Sequence, residues 1–85
     1  MNENGQYQLM LKILKILDEH QFGGELFLTP DIFSSRYTQD EINLIASSLE
    51  SKGYIVATLN EGNNAKFFLA SSLTSKGRSF LKKLE

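Results

Sequence analysis

The chain has 85 residues, a formal net charge of −1, 41% hydrophobic and 22% charged residues, and no cysteine. This length allows one domain around one core, and the composition is that of a globular protein rather than a disordered one. The lack of cysteine excludes disulfides and thiolate metal sites, and the weak net charge gives no overall attraction to nucleic acid. The first residues lack the basic region of a signal peptide, and we expect a cytoplasmic protein.

The first predicted element is a helix over residues 6–21, which follows a flexible N-terminus at residues 1–5 and ends at Gly23-Gly24. Apolar side chains cover more than half of its circumference, and the run is too short to span a bilayer. One stripe consists of Tyr7, Met10, Leu14 and Leu17, and a second consists of Leu9, Ile13 and Ile16. Either the helix is sandwiched between two other helices, or the second stripe, the candidate dimer interface, packs against a partner.

A short strand and a short helix are expected next. Residues 25–28 form a brief apolar run that predicts a small strand. Thr29-Pro30-Asp31 then indicates a helix start, because threonine can cap a helix and proline suits its first position. We expect this short helix to reach about Ser35.

A second long helix is predicted over residues 39–52. Thr38 and Glu41 have the spacing of a capping box, in which the threonine hydroxyl accepts from the Glu41 amide and the carboxylate reaches back to the Thr38 amide. Gly53 supplies the expected end of the helix.

A hairpin and a last helix complete the chain. Residues 54–59 and 65–70 are rich in strand formers, and residues 60–64 have the Asn/Gly composition of a five-residue loop. Thr74 can cap a final helix that runs to about Leu84. Largely buried side chains are expected at Ile42, Ile45, Leu49, Ile55, Phe67, Leu69 and Phe80.

Two phrases in this part of the chain carry a family resemblance. They are Leu49-Glu50-Ser51-Lys52-Gly53-Tyr54-Ile55 and Leu73-Thr74-Ser75-Lys76-Gly77. Both resemble stretches of winged helix-turn-helix proteins, among them regulators of the MarR and PadR type and the small phage and prophage YjcQ-like group. The resemblance implies an α+β, mostly α chain: one winged-helix domain over residues 1–85, with three to four helices and an antiparallel β-hairpin wing.

The resemblance also implies a function. In this family the helix at residues 39–52 would enter the major groove of double-stranded DNA, and the hairpin would touch the backbone. The candidate DNA-binding residues are Arg36, Thr38, Asn43, Ser47 and Lys66. The expected function is a small, dimeric, DNA-associated regulator. The alternative is a protein–protein interaction module without DNA binding, favoured by the net charge of −2 on this helix, since phosphate contacts come from basic groups.

Catalytic chemistry is not expected. His20 is the only histidine, so metal sites of the usual His/Cys types cannot form within one chain. The serines have no histidine–carboxylate pair to activate them, and the Gly62–Lys66 stretch lacks the spacing of a phosphate-binding loop. We expect neither an enzyme nor a cofactor.

Overall fold

The structure is a computed structural model and describes residues 2–20, 24–62 and 65–85. The described residues form three α-helices, a short 3₁₀ helix and three strands that pair as one antiparallel sheet in the order β1–β3–β2. The elements in chain order are α1 (Glu3–Glu19), β1 (Leu26–Leu28), the 3₁₀ helix (Pro30–Phe33), α2 (Gln39–Ser51), β2 (Ile55–Glu61), β3 (Lys66–Leu73) and α3 (Ser75–Leu84). The expected α+β class, the small first strand and the hairpin are confirmed.

Helix α1 begins three residues earlier than the sequence indicated. The side-chain oxygen of Asn2 accepts a hydrogen bond from the Gly5 amide at 2.8 Å and caps the helix, which therefore starts at Glu3. Asparagine is among the best N-terminal caps, and this short polar stretch was interpreted as a flexible N-terminus instead. The helix ends at Glu19, and the predicted stop at Gly23 lies outside the described residues.

The wide apolar arc of α1 is explained by packing within the chain. Helix α1 contacts α2, α3 and β3, and Arg78 Nε of α3 lies 3.3 Å from Asp18 Oδ1 of α1. Leu9 and Ile13 are fully buried, and Ile16 is half-buried against the core. The expected exposure of Leu9 and Ile13 as part of a dimer interface is therefore wrong, whereas Ile16 is partly exposed. The sandwiched arrangement, the other alternative from the sequence, accounts for the width of the apolar arc.

Helix α2 begins and ends as the sequence predicts. Thr38 Oγ1 accepts from the Glu41 amide at 3.1 Å, and Glu41 Oε1 accepts from the Thr38 amide at 2.9 Å, so the capping box is complete. Gly53 follows the helix with a φ of +79°, a left-handed conformation that glycine adopts without strain. Ile42, Ala46 and Leu49 bury the inner face of the helix, and Ile45 is half-buried beside them.

The β2–β3 hairpin places alternate side chains on opposite faces of the sheet. The inner face, which meets the helices, buries Ile55, Ala57, Phe68, Ala70 and Leu73. Ala57 pairs with Ala70, whereas Val56 pairs with Ser72. Ser71 is therefore an extra residue in β3, which forms a β-bulge.

Two residues of β3 face the other way from the prediction. Phe67 and Leu69 lie on the outer face of the sheet, where they pair with Asn60 and Phe27, and they are only half-buried. The expectation that they are largely buried is therefore wrong. Phe67 and Phe68 are adjacent apolar residues, so the sequence offers no alternation that selects a face.

The turn of the hairpin is shorter than expected, because β2 continues through Glu61 and β3 begins at Lys66. The Gly62 amide donates to the Ala65 carbonyl at 2.8 Å, while residues 63–64 of the predicted loop lie outside the described residues. Within the described ranges, no helix has the length and apolar character needed to cross a membrane.

Candidate interaction surface

The outward face of α2 is the candidate functional surface. Ile42, Ala46 and Leu49 fix the buried side of the helix, so the opposite side, at 100° per residue, has Leu44 at its centre. Leu44 is 62% exposed. Its neighbours on this face are exposed and polar: Asp40, Ser47, Ser48 and Ser51. The face therefore presents one large apolar side chain within a ring of hydroxyl groups and a carboxylate.

Asn43 ties α2 to the sheet. Its side-chain nitrogen donates to the Lys66 carbonyl oxygen at 2.8 Å, and its side-chain oxygen accepts from Gln39 Nε2 at 3.0 Å. Gln39 Nε2 also donates to the Leu28 carbonyl oxygen at 2.9 Å. The two amide side chains thus connect α2 with both β1 and β3, and Asn43, one of the candidate DNA-binding residues, is engaged in holding the domain together.

The other candidate DNA-binding residues do not form a cluster of free positive charge that could bind a polyanion such as DNA. The Thr38 hydroxyl caps α2. The Lys66 ammonium group is 3.9 Å from the Glu61 carboxylate, which offsets its charge. Ser47 and Arg36 are exposed. The structure brings Asn43 and Lys66 together, whereas no hydrogen bond or ion pair within the described ranges joins Arg36 to either of them.

The electrostatics of α2 disfavour phosphate. Asp40, Glu41 and Glu50 against Lys52 leave a formal charge of −2 over residues 39–52. The backbone hydrogen bond from Thr38 lowers the pKa of the Glu41 carboxyl and so favours its ionised form. The carboxylates of the first turn also lie at the positive end of the helix dipole, which accounts for their position without any ligand.

The two phrases that carry the family resemblance meet in one structural junction. The Thr74 hydroxyl accepts from the Gly77 amide at 2.9 Å and lies 2.7 Å from the Gly53 carbonyl oxygen, to which it can donate. The Thr74 amide donates to the Tyr54 carbonyl at 3.0 Å. Gly77 is buried against the same carbonyl group. These contacts join the start of α3 to the connection between α2 and β2. The residues of both sequence stretches therefore have a structural role.

Lys76 also belongs to this junction. Its ammonium group donates to the Lys52 carbonyl at 2.9 Å and lies 5.3 Å from the centre of the Tyr54 ring. Tyr54 in turn stacks on Phe80 at 4.3 Å between ring centres. Phe80 was expected to be largely buried and is half-buried, because its ring packs on that of Tyr54 at the edge of the core.

The stacked rings form one wall of a groove of about 380 Å³. Tyr7 and Met10 of α1 and Ile45 of α2 contribute further apolar lining, and Glu3, Gln6 and Lys52 provide polar groups. The volume lies within the range of small-molecule sites. This groove could not be predicted from the sequence, because its lining comes from three segments that the fold brings together.

The described part of the chain contains no group of three or more His, Cys, Asp or Glu residues placed to bind a metal ion.

No protein-family model, curated protein or solved structure matches this chain.

Proposed function

We propose that the protein is a protein–protein interaction module built on a winged-helix frame, with the outward face of α2 as its binding surface. The observation that carries this proposal is the 62% exposure of Leu44 at the centre of a face that has no lysine or arginine. A face without basic groups lacks the usual contacts to phosphate, and its exposed leucine offers an apolar contact to a protein partner.

The order of the elements supports the winged-helix frame. A helix, a short helix, a capped helix, a hairpin and a final helix follow one another as in the family that the two phrases resemble. In that frame α2 is the helix that makes the main contact with a partner. Fold likeness alone does not select the partner, which must be inferred from the side chains of the surface.

The chemistry of the surface indicates the type of partner. We expect an apolar pocket for Leu44 and a basic group opposite Asp40, at the edge of the contact. Full burial of a leucine side chain contributes about 1.5–3 kcal/mol. Leu44 would therefore be the main anchor, while the surrounding serines would contribute complementarity rather than affinity.

A small DNA-associated regulator, of the phage and prophage type, is the second candidate. The element order favours it. With Arg36 and Lys66 among two to four phosphate contacts, the slope of log affinity against log salt would be roughly −2 to −4 per protomer.

A titration with generic duplex DNA at low and at moderate salt separates the two candidates. The interaction module predicts no saturable binding, even at low salt. Saturable binding with a slope in the range above, lost in an Arg36→Ala, Lys66→Ala double variant, would overturn the proposal in favour of the regulator.

A capture experiment tests the surface directly. Wild-type protein, Leu44→Ser and Tyr7→Ala are immobilised and exposed to an extract of the source cells. Tyr7→Ala is the control, because it removes an exposed apolar side chain from α1 rather than α2. We expect a protein that wild type and the control retain and Leu44→Ser does not. Equal retention by all three would show that the α2 face is not the binding surface.

A further inference from the structure

Leu44 lies one turn of α2 away from the groove between α1 and α2. Ser48 lines this groove, together with Ile45 of α2 and Met10 of α1. Side chains four positions apart are neighbours on a helix, so Leu44 and Ser48 share one side of α2. Leu44 is the most exposed large hydrophobic side chain among the described residues, at 62%. One side of the domain therefore presents both an apolar anchor and a groove of about 380 Å³.

The charges on this side of α2 are separated along the helix. The first turn carries Asp40 and Glu41, and Lys52 caps the C-terminal end. Lys76 adds a second positive charge at this end, because its ammonium group donates to the Lys52 carbonyl oxygen at 2.9 Å. Glu50 lies about 160° around the helix from the groove side, at 100° per residue, and does not offset these charges there. The side of α2 that borders the groove is therefore acidic at one end and basic at the other.

We infer that the partner of the α2 face is a second copy of this chain, and that Leu44 of each copy enters the groove of the other. This inference rests on the proposed function, because it names the partner of the same surface. The partner expected there has an apolar pocket for Leu44 and a basic group opposite Asp40. This chain supplies the pocket in its groove and the basic group in Lys52. A two-fold contact uses such a self-complementary surface twice.

One register of the two α2 helices satisfies both requirements. When they pack antiparallel about a two-fold axis at the level of Ala46, position 44 lies opposite position 48 of the second copy, and position 40 lies opposite position 52. Asp40 and Lys52 are separated by about 18 Å along the helix, so each acidic end meets a basic end. The same arrangement brings the positive end of each helix dipole to the negative end of the other. A parallel arrangement would place like charges together and is disfavoured.

The lining of the groove suits an aliphatic side chain. Met10 and Ile45 give it apolar walls, and its two charged residues, Glu3 and Lys52, are of opposite sign. The groove is larger than a leucine side chain, so Leu44 can enter without a rearrangement of the lining. Entry removes the most exposed apolar side chain of the described residues from water. The contact has one such anchor per copy, so the association should depend on concentration.

Sedimentation equilibrium of the full chain, from micromolar to near-millimolar concentration, tests the inference. Wild type should rise from a mass of 9.6 kDa towards twice that value. Leu44→Ser should weaken association at least about tenfold, because both copies lose their anchor. Phe27→Ser is the matched control. It removes a similarly exposed apolar side chain, 56% accessible, from the sheet rather than from α2, and it should associate as wild type does.

An exchange of charges tests the register. Asp40→Lys and Lys52→Glu should each weaken association at least about tenfold, because each dimer then contains two contacts between like charges. An equimolar mixture of the two variants should associate again, since the introduced lysine faces the introduced glutamate and the other contact keeps its native pair. Both positions are exposed, so the variants should fold, which circular dichroism can check. If a charge variant fails to fold, Leu44→Ser and its control decide.

Two results would overturn the inference. One is a wild-type chain that remains at 9.6 kDa at every concentration. The other is a Leu44→Ser variant, or a mixture of the folded charge variants, that does not behave as described. The proposed function would survive either result if the capture experiment retained a different protein that Leu44→Ser does not retain. Failure of the proposed function has its own signs, which are saturable binding to duplex DNA or equal retention by all the captured variants.

Discussion

Replacing Gly77 by alanine probes the junction that joins α3 to the rest of the domain. Gly77 lies in the first turn of α3 and is buried. A Cβ atom at this position would overlap the carbonyl oxygen of Tyr54 and approach Leu73 Cδ1 to 2.9 Å. The leucine can rotate away. The Tyr54 carbonyl cannot move without weakening its hydrogen bond from the Thr74 amide.

Three terms decide the sign of the change in stability. Helix propensity favours alanine over glycine by about 0.8–1.0 kcal/mol. Overpacking against a fixed backbone costs about 1–3 kcal/mol, and displacing α3 also weakens the Thr74 cap, which contributes about 0.5–2 kcal/mol. The overlap therefore outweighs the propensity. We expect Gly77→Ala to lower the free energy of unfolding by about 0.5–4 kcal/mol, and Tm by about 4–8 °C for each kcal/mol.

Thermal and denaturant unfolding, followed by circular dichroism, measure this loss. Gly62→Ala is the matched control, because its Cβ would meet only the Ala65 carbonyl oxygen, at 3.7 Å. The control should stay within about 0.5 kcal/mol of wild type. If Gly77→Ala is as stable as wild type or more so, α3 does not pack against Tyr54 in the way described, and the account of the junction is wrong.

Two further predictions concern the core and the capping box. Ile13→Ala removes a fully buried side chain of α1 and should cost about 2–5 kcal/mol in denaturant unfolding; a loss below about 1 kcal/mol would contradict its burial. In the folded state the pKa of the Glu41 carboxyl is lowered from an ordinary value near 4.5. The ionised carboxylate therefore stabilises the fold above pH 4.5, and this stabilisation is lost as the pH falls through the lowered pKa. Below pH 4.5 the stability of wild type should therefore fall more steeply than that of Glu41→Gln, and equal pH profiles would show that the capping carboxylate has no such effect.

The features predicted correctly from the sequence are those that local hydrogen bonding determines. Thr38, Glu41 and Gly53 mark both ends of α2, because a cap involves residues three or four positions apart. The two strands of the hairpin could be predicted from local composition, because strand-forming residues flank an Asn/Gly-rich turn. The missed cap at Asn2 was equally local, since asparagine before a helix is a recognised signal.

The errors concern contacts between distant parts of the chain. A helical projection gives the width of the apolar arc of α1, but it cannot say that α2, α3 and β3 together cover Leu9 and Ile13. The face on which Phe67 lies depends on the pairing of β3 with β1 and β2. Sequence periodicity does not contain this information when apolar residues are adjacent. The residues that form the outer face of the sheet could not be predicted for the same reason.

The structural role of Asn43 also depends on contacts that the sequence does not show. Its replacement tests whether this side chain holds α2 to the sheet. A polar residue on a predicted recognition helix resembles a base contact, but its hydrogen bonds to Lys66 and Gln39 are visible only in the folded chain. Each such bond contributes about 0.5–1.5 kcal/mol, so Asn43→Ala should cost about 1–3 kcal/mol of unfolding free energy. Ser47→Ala, one turn further along the same helix and exposed, should cost less than about 0.5 kcal/mol. If both variants are as stable as wild type, Asn43 does not hold α2 to the sheet, and its side chain is available to a ligand after all.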